Sequence, residues 1–408
     1  MCCVMGVVLI CHNASANDVN SPANSRLATT TFSEGLAAVY LDESWALIDP
    51  GGQITVRCPV DVERIWPFSQ GMAVCKVGEH YGYMTAAGRF AIGAQFIRAL
   101  PFDELGLAIV GRAPDGAEEK AIRFGLIDKT GRYQIAPRFI GLRPFGPGGF
   151  APASAERDAD GRQLWGFIDR RGEFVIPARF HAAYLFSGGL AAVRIGELFG
   201  YIDYGGNMVI APQFYEADDF DTGIARVVVS SEDRFRSENG RSVVWIDMKG
   251  RTVCGPFVEA EPFSEGLALA WIWAGGEGET KQLCYGYVDA AGQWVVEPRY
   301  HFKTSGSGFV AGRATVPVDD GVALIDPSGD VLVPEVNTID IRNFSEGLAV
   351  ATLKDKRYLY LDATGDVIIP GPFDEAGDFS NGAAFVRLAD EWRLINVRGE
   401  VMFSFSAR

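Results

Sequence analysis

The stretch "FSEGLA" occupies residues 32–37 and recurs unchanged at 263–268 and 344–349. Identical hexapeptides so far apart mark a structural period. Relaxed to Phe-x-x-Gly, the pattern finds ten anchors: Phe32, Phe68, Phe102, Phe145, Phe186, Phe220, Phe263, Phe309, Phe344 and Phe379. They spread over 347 residues at about 39 per step. The unit at Phe102 has one extra residue before Gly106, and "FGPGGF" at 145–150 is degenerate.

A second signature falls between the anchors: aromatic-Gly-Tyr-Ile-Asp-x-x-Gly, as in "WGFIDRRG" (165–172), "FGYIDYGG" (199–206) and "YGYVDAAG" (285–292). Its Asp recurs as Asp49, Asp128, Asp169, Asp203, Asp247, Asp289, Asp326 and Asp362, with Thr85 and Asn396 in the other two units. A short apolar run and Pro-x-Phe follow, as in "VIPARF" (175–180).

Each piece has a physical reading. "GLAAVYL" (35–41) and "WGFID" (165–169) are short, rich in aliphatic and aromatic residues and bounded by Gly or Asp, which suits strands. Asp-x-x-Gly reads as a hairpin turn in which Asp accepts backbone N–H bonds and Gly takes a positive φ. "EFVIP" (173–177) is a third strand, ended by a Pro that lacks a donor. Such a unit is too small to bury a core alone, so the Phe of Phe-x-x-Gly is expected to plug the joint with its neighbour. The expected fold is all-β: about ten three-stranded antiparallel units stacked as an open superhelical solenoid. The alternative is a β-propeller-like closure, in which Pro-x-Phe-x-x-x-x-x-Phe hides a fourth strand. Propellers typically close with four to eight four-stranded blades, which favours the open array.

Four insertions fall at one place in the unit, after its Leu-Ala strand: 111–123, 152–164, 230–242 and 274–283. Insertions at one point of a repeat project from one face, and these polar loops are where a partner is expected to bind.

Of 408 residues, 48% are hydrophobic and 12% aromatic, which fits a folded chain, and 48 Gly with 20 Pro favour turns over long helices. A net charge of −15 disfavours nucleic acid or anionic lipid as a general partner. Residues 2–11 form an apolar run, followed by Ala14-Ser15-Ala16, a small-x-small pattern suited to signal peptidase, although no Lys or Arg precedes the run. The expected organisation is a signal peptide at 1–16, a polar linker at 17–31 and the repeat array at 32–408, with a periplasmic or secreted product and no stable membrane span. Cleavage leaves Cys58, Cys75, Cys254 and Cys284, which are either two local disulfides (Cys58–Cys75 and Cys254–Cys284) or buried free thiols.

The paired signatures, Phe-x-x-Gly-Leu-Ala-x-Val and aromatic-Gly-Tyr-Ile-Asp-x-x-Gly, resemble the bacterial WG-repeat (KWG) family over nearly all of 32–408. The namesake Trp-Gly stands only at Trp165-Gly166; elsewhere the aromatic is Trp45, Tyr81, Phe124, Phe199, Tyr285, Tyr358 or Trp392, with Val243 and Val322 as exceptions. The resemblance implies a β-rich repeat protein, often exported, presumed to mediate binding, with no catalytic residues to transfer.

The aspartates in register read as turn residues rather than a calcium site, and the recurrent aromatics as core rather than a sugar-stacking platform. His80, His181 and His301 are widely separated, and no Gly-x-Ser-x-Gly elbow or close Cys/His pairing occurs. The segment "GSGFVAG" (306–312) misses a phosphate-loop pattern and sits on an anchor. No catalytic, cofactor-binding or metal-binding residue is assigned and no cofactor is expected. The expected function is a non-enzymatic scaffold for a protein or cell-envelope partner; the alternative is a carbohydrate-binding protein that uses exposed aromatics.

Overall fold

The computed structural model describes residues 29–113, 121–232, 239–275, 281–301, 306–319, 321–332 and 338–406. The expected signal peptide and most of the linker lie outside the described residues, as do parts of three insertions. The described residues contain no α-helix and form ten antiparallel sheets.

Eight of the ten sheets have four strands in sequential order. Unit 5 shows the plan: Ala182–Ser187, Leu190–Ile195, Leu198–Ile202 and Met208–Phe214. The three-stranded expectation is thus corrected. The added first strand is often a two-residue piece directly after Pro-x-Phe, such as Glu216–Ala217, too short to show a periodicity. Nor does the Pro end its strand. Pro177 lies inside Phe174–Phe180, at a bulge where pairing jumps from Trp165↔Phe180 to Phe167↔Ile176. Pro is tolerated there because the bulge asks for no ladder donor.

The bulge also explains the Gly of aromatic-Gly-Tyr. In unit 2 a Cβ on Gly82 would lie 2.7 Å from the Ile92 carbonyl oxygen and 2.8 Å from Ala94 N, so the last strand leaves no room for a side chain. The two middle strands are buried on both faces, as in Leu190–Ile195, while the last strand alternates buried and exposed residues.

The core is divided among ten apolar clusters, each built across two neighbouring units. Ten units in an open row would have nine joints. The tenth cluster joins the first unit to the last: Phe32, Val39 and Ile48 pack with Phe385, Trp392 and Leu394. Phe32 stacks on Phe385 with ring centroids 5.9 Å apart. The open superhelix is therefore corrected to a closed, ten-bladed β-propeller. The physical reason is that an open array leaves an apolar joint bare at each end unless polar caps cover it, and closure covers both.

The joints repeat one design. In six joints the Phe of Phe-x-x-Gly meets an aromatic at the Tyr position of the preceding unit, as in Phe220 with Tyr201 (4.8 Å) and Phe379 with Tyr360 (4.9 Å). That tyrosine's hydroxyl donates to a carbonyl of the next unit, Tyr201 to Asp218 O and Tyr360 to Gly377 O. The anchor Ser donates to the next anchor Phe carbonyl at 2.5–2.9 Å from Ser33, Ser69, Ser187, Ser264, Ser345 and Ser380. Where Glu follows it, its carboxylate accepts from the next turn's amides, as Glu34 does from Gln70 N and Gly71 N. "FSEGLA" recurs because this joint recurs.

Candidate binding face

The strand order gives the sheets two distinct ends. One carries the Phe-x-x-Gly turns and the Asp-x-x-Gly hairpins. The other carries the connections between second and third strands, so all four insertions are attached there. The segment 152–164 extends a hairpin formed by Ala151–Arg157 and Gln163–Ile168. The counterparts in units 3, 6 and 7 connect Leu107–Arg112 to Arg123–Asp128, Ile224–Ser230 to Arg241–Asp247 and Leu267–Ala274 to Gln282–Asp289. Unit 5, between two long loops, has only a tight turn at Gly196. The unit 4 hairpin leans on that turn: Arg162 pairs with Glu197 at 3.6 Å, and His181 contacts Asp158 at 3.5 Å while accepting from Gly196 N.

The recurrent aspartates sit at the other end and serve turns. Asp247 Oδ1 accepts from Lys249 N and Arg251 N, and Asp289 Oδ1 from Ala291 N and Gln293 N. Asn396 does the same with its amide oxygen. Hydrogen bonds from Thr130, Asn207, Arg251 and Ser328 side chains, joined by backbone amides, hold the carboxyls of Asp128, Asp203, Asp247 and Asp326 below the ordinary range. Hydrogen bonds to the charged form favour it.

At the loop end the aromatics divide. Trp45, Tyr285 and Trp392 are buried, as a core reading expects, whereas Tyr81, Phe124, Trp165, Phe199 and Tyr358 are half-buried. Arginines cover several of the half-buried rings, a feature the sequence reading did not pick out. Arg143 lies 5.4 Å from the Trp165 ring and 4.9 Å from Tyr184; Tyr184 packs on Phe199 at 5.9 Å, and Arg194 lies 5.9 Å from Phe199. Arg64 over Trp66 (4.8 Å) and Arg241 over Tyr215 (3.9 Å) repeat the theme in units 2 and 6. Elsewhere arginines pair with acids: Arg226 meets Glu259 at 2.7 Å, Asp218 at 3.5 Å and Glu216 at 3.8 Å.

A cleft of about 320 Å³ opens between units 6 and 7, with Val243 and Val258 below and Glu216, Arg241 and Glu259 at its sides. Val243 stands where other units place an aromatic ring. Burial raises the Glu261 carboxyl next to this region, and Glu259 adds to the effect.

Among the described residues no His, Cys, Asp and Glu gather as a metal-ligating group. The four cysteines are free and buried. Cys58 and Cys75 share the joint between units 1 and 2, and burial pushes them up to about 11 and about 12. Cys254 belongs to the joint between units 6 and 7, while Cys284 faces His301 Nδ1 at 3.3 Å.

Among solved structures the chain is similar to a eukaryotic initiation factor, with 13% identity over 83% of this chain and 96% of that one and a TM-score of 0.48. It is also similar to AztD from Citrobacter koseri, with 12% identity over 74% and 92% of the two chains and a TM-score of 0.31. No curated protein matches the sequence. The family described as WG containing repeat matches residues 165–198, 199–231, 285–305 and 360–392, which fall on units related by the joint described above. The chain carries WG-containing repeats at these four places.

Proposed function

We propose that the protein is a non-enzymatic binding scaffold that holds a protein partner at the loop end of the ring. The observation that carries this reading is the division of labour between the two ends. The recurrent polar groups, Asp carboxylates, Ser hydroxyls and Tyr hydroxyls, are committed to turns and joints. The parts that differ between units, four insertions and the arginine-covered aromatics, gather at the opposite end. Variable loops on a rigid frame are the usual carriers of recognition. The apolar run 2–11 and the Ala14-Ser15-Ala16 that follows it support a role outside the cytoplasm, with a cell-envelope component as partner. Deleting residues 111–121 and 231–241 should abolish capture of a protein partner from an envelope extract while the ring still unfolds cooperatively. Unchanged capture would sink the proposal.

A second reading, carbohydrate binding, draws on Trp66 and Tyr81, half-buried rings 5.7 Å apart at the same end. It predicts a change in tryptophan emission on adding envelope glycans.

A further inference from the structure

We infer that Arg143 and Arg194 form a two-pronged carboxylate site, and that the partner segment it takes is an acidic peptide. This rests on the reading of the loop end as the binding face and names the chemistry of its occupant.

The strip runs Trp165, Arg143, Tyr184, Phe199, Arg194 across units 4 and 5, beside the unit 4 hairpin. All five side chains are half-buried. Among the described residues neither guanidinium has a carboxylate or carbonyl partner, whereas nine other arginines pair with an acid. Arg194 goes further: its Nε is buried and has no acceptor. A charged group whose inner donor is buried without an acceptor gains most from bonds at its terminal N–H groups, which are not among the buried atoms.

The rings fix what the site can recognise. Packed against Trp165 and Tyr184, the Arg143 guanidinium has its faces covered and its N–H edge as the group left to bond. A planar fork held this way matches a carboxylate through two parallel hydrogen bonds, and less rotamer entropy is lost on binding. The same packing tells against a neutral sugar, which would need the ring faces that the guanidiniums cover. A nucleic acid or other dense polyanion would meet the repulsion of a chain with net charge −15, whereas a short segment with a few Asp or Glu residues needs only the local cations.

The test uses the full chain and a fluorescent Glu-Gly repeat peptide, with the Gln-Gly counterpart and a galacturonate oligomer as alternative probes, followed by anisotropy. The Glu peptide should bind, and weaken with added salt; the Gln peptide should bind at least about tenfold more weakly. Arg143→Gln and Arg194→Gln should each cost about tenfold with the thermal transition unchanged, and Arg143→Lys should not restore binding, since it keeps the charge and loses the fork. Equal binding of the Glu and Gln peptides would overturn the inference even if a variant fails to fold. A galacturonate oligomer that binds more tightly than the peptide would overturn the choice of a protein segment. Loss of acidic preference with loop-dependent capture intact refutes this inference alone; loss of loop-dependent capture refutes the scaffold reading.

Discussion

The hydroxyl of Ser380 donates to the backbone carbonyl of Phe32 at 2.9 Å, across 348 residues of chain. The same bond links Ser187 to Phe220 and Ser345 to Phe379 within the array, so the joint between last and first units is built like the internal ones. A ring closed this way shares its fate between its ends. Phe32→Ala should cost about 3–5 kcal/mol, as for other buried Phe truncations. It should also speed amide hydrogen exchange in Ala383–Leu388 of the last unit, not only in the first. Exchange confined to the first unit would mean the ends do not hold each other.

Gly82 and Gly93 stand close together in unit 2 and should respond differently to alanine. A Cβ on Gly82 meets the backbone at Ile92 and Ala94, while a Cβ on Gly93 meets nothing within 4 Å. Gly82→Ala should destabilise by about 1–3 kcal/mol through overpacking, and Gly93→Ala should be near neutral. Thermal unfolding of the two variants separates them.

The hairpin aspartates make stability depend on acid. Asp128, Asp203, Asp247 and Asp326 have folded values below the unfolded value of about 3.9, so they stabilise the fold above about pH 4. That contribution is lost as the pH falls through the folded values. The melting temperature should therefore drop below pH 4, and Asp→Asn at these four positions should flatten the drop, since Asn396 already makes the same turn bonds through its amide.

The thiols should be silent in the folded protein. Cys58, Cys75 and Cys254 are buried and pushed up to about 11, 12 and 12, so little thiolate exists at pH 8. With Cys2, Cys3 and Cys11 changed to Ser, a disulfide reagent should label them only on unfolding; rapid labelling of Cys58, Cys75 or Cys254 in the native protein would contradict their burial.

The repeat number, the Phe joint and the Asp turn were legible because each is set by residues close in sequence. Closure was not. It depends on small rotations summed over ten joints, and no residue states the sum; the contacts of Phe32 with Phe385 and Ser380 reveal it. The fourth strand was legible only as an option, because Glu216–Ala217 and Glu375–Ala376 are too short to carry a pattern. Pro177 read as a strand end because a bulge that absorbs it needs Gly166 on the neighbouring strand, a pairing between two motifs. Arg143 and Arg194 were invisible for the same reason: their meaning lies in rings from two different units.

Which end of the ring meets the partner is tested most directly by orientation. In a chain with Cys2, Cys3 and Cys11 changed to Ser, a single new thiol can tether the ring through its hairpin end (Lys249→Cys) or its loop end (Glu79→Cys), both exposed positions. Envelope extract is then passed over each surface. Capture of a protein by the Lys249→Cys surface, with loss on the Glu79→Cys surface, is the predicted result. Capture only when the loop end is tethered would contradict the assignment of the binding face.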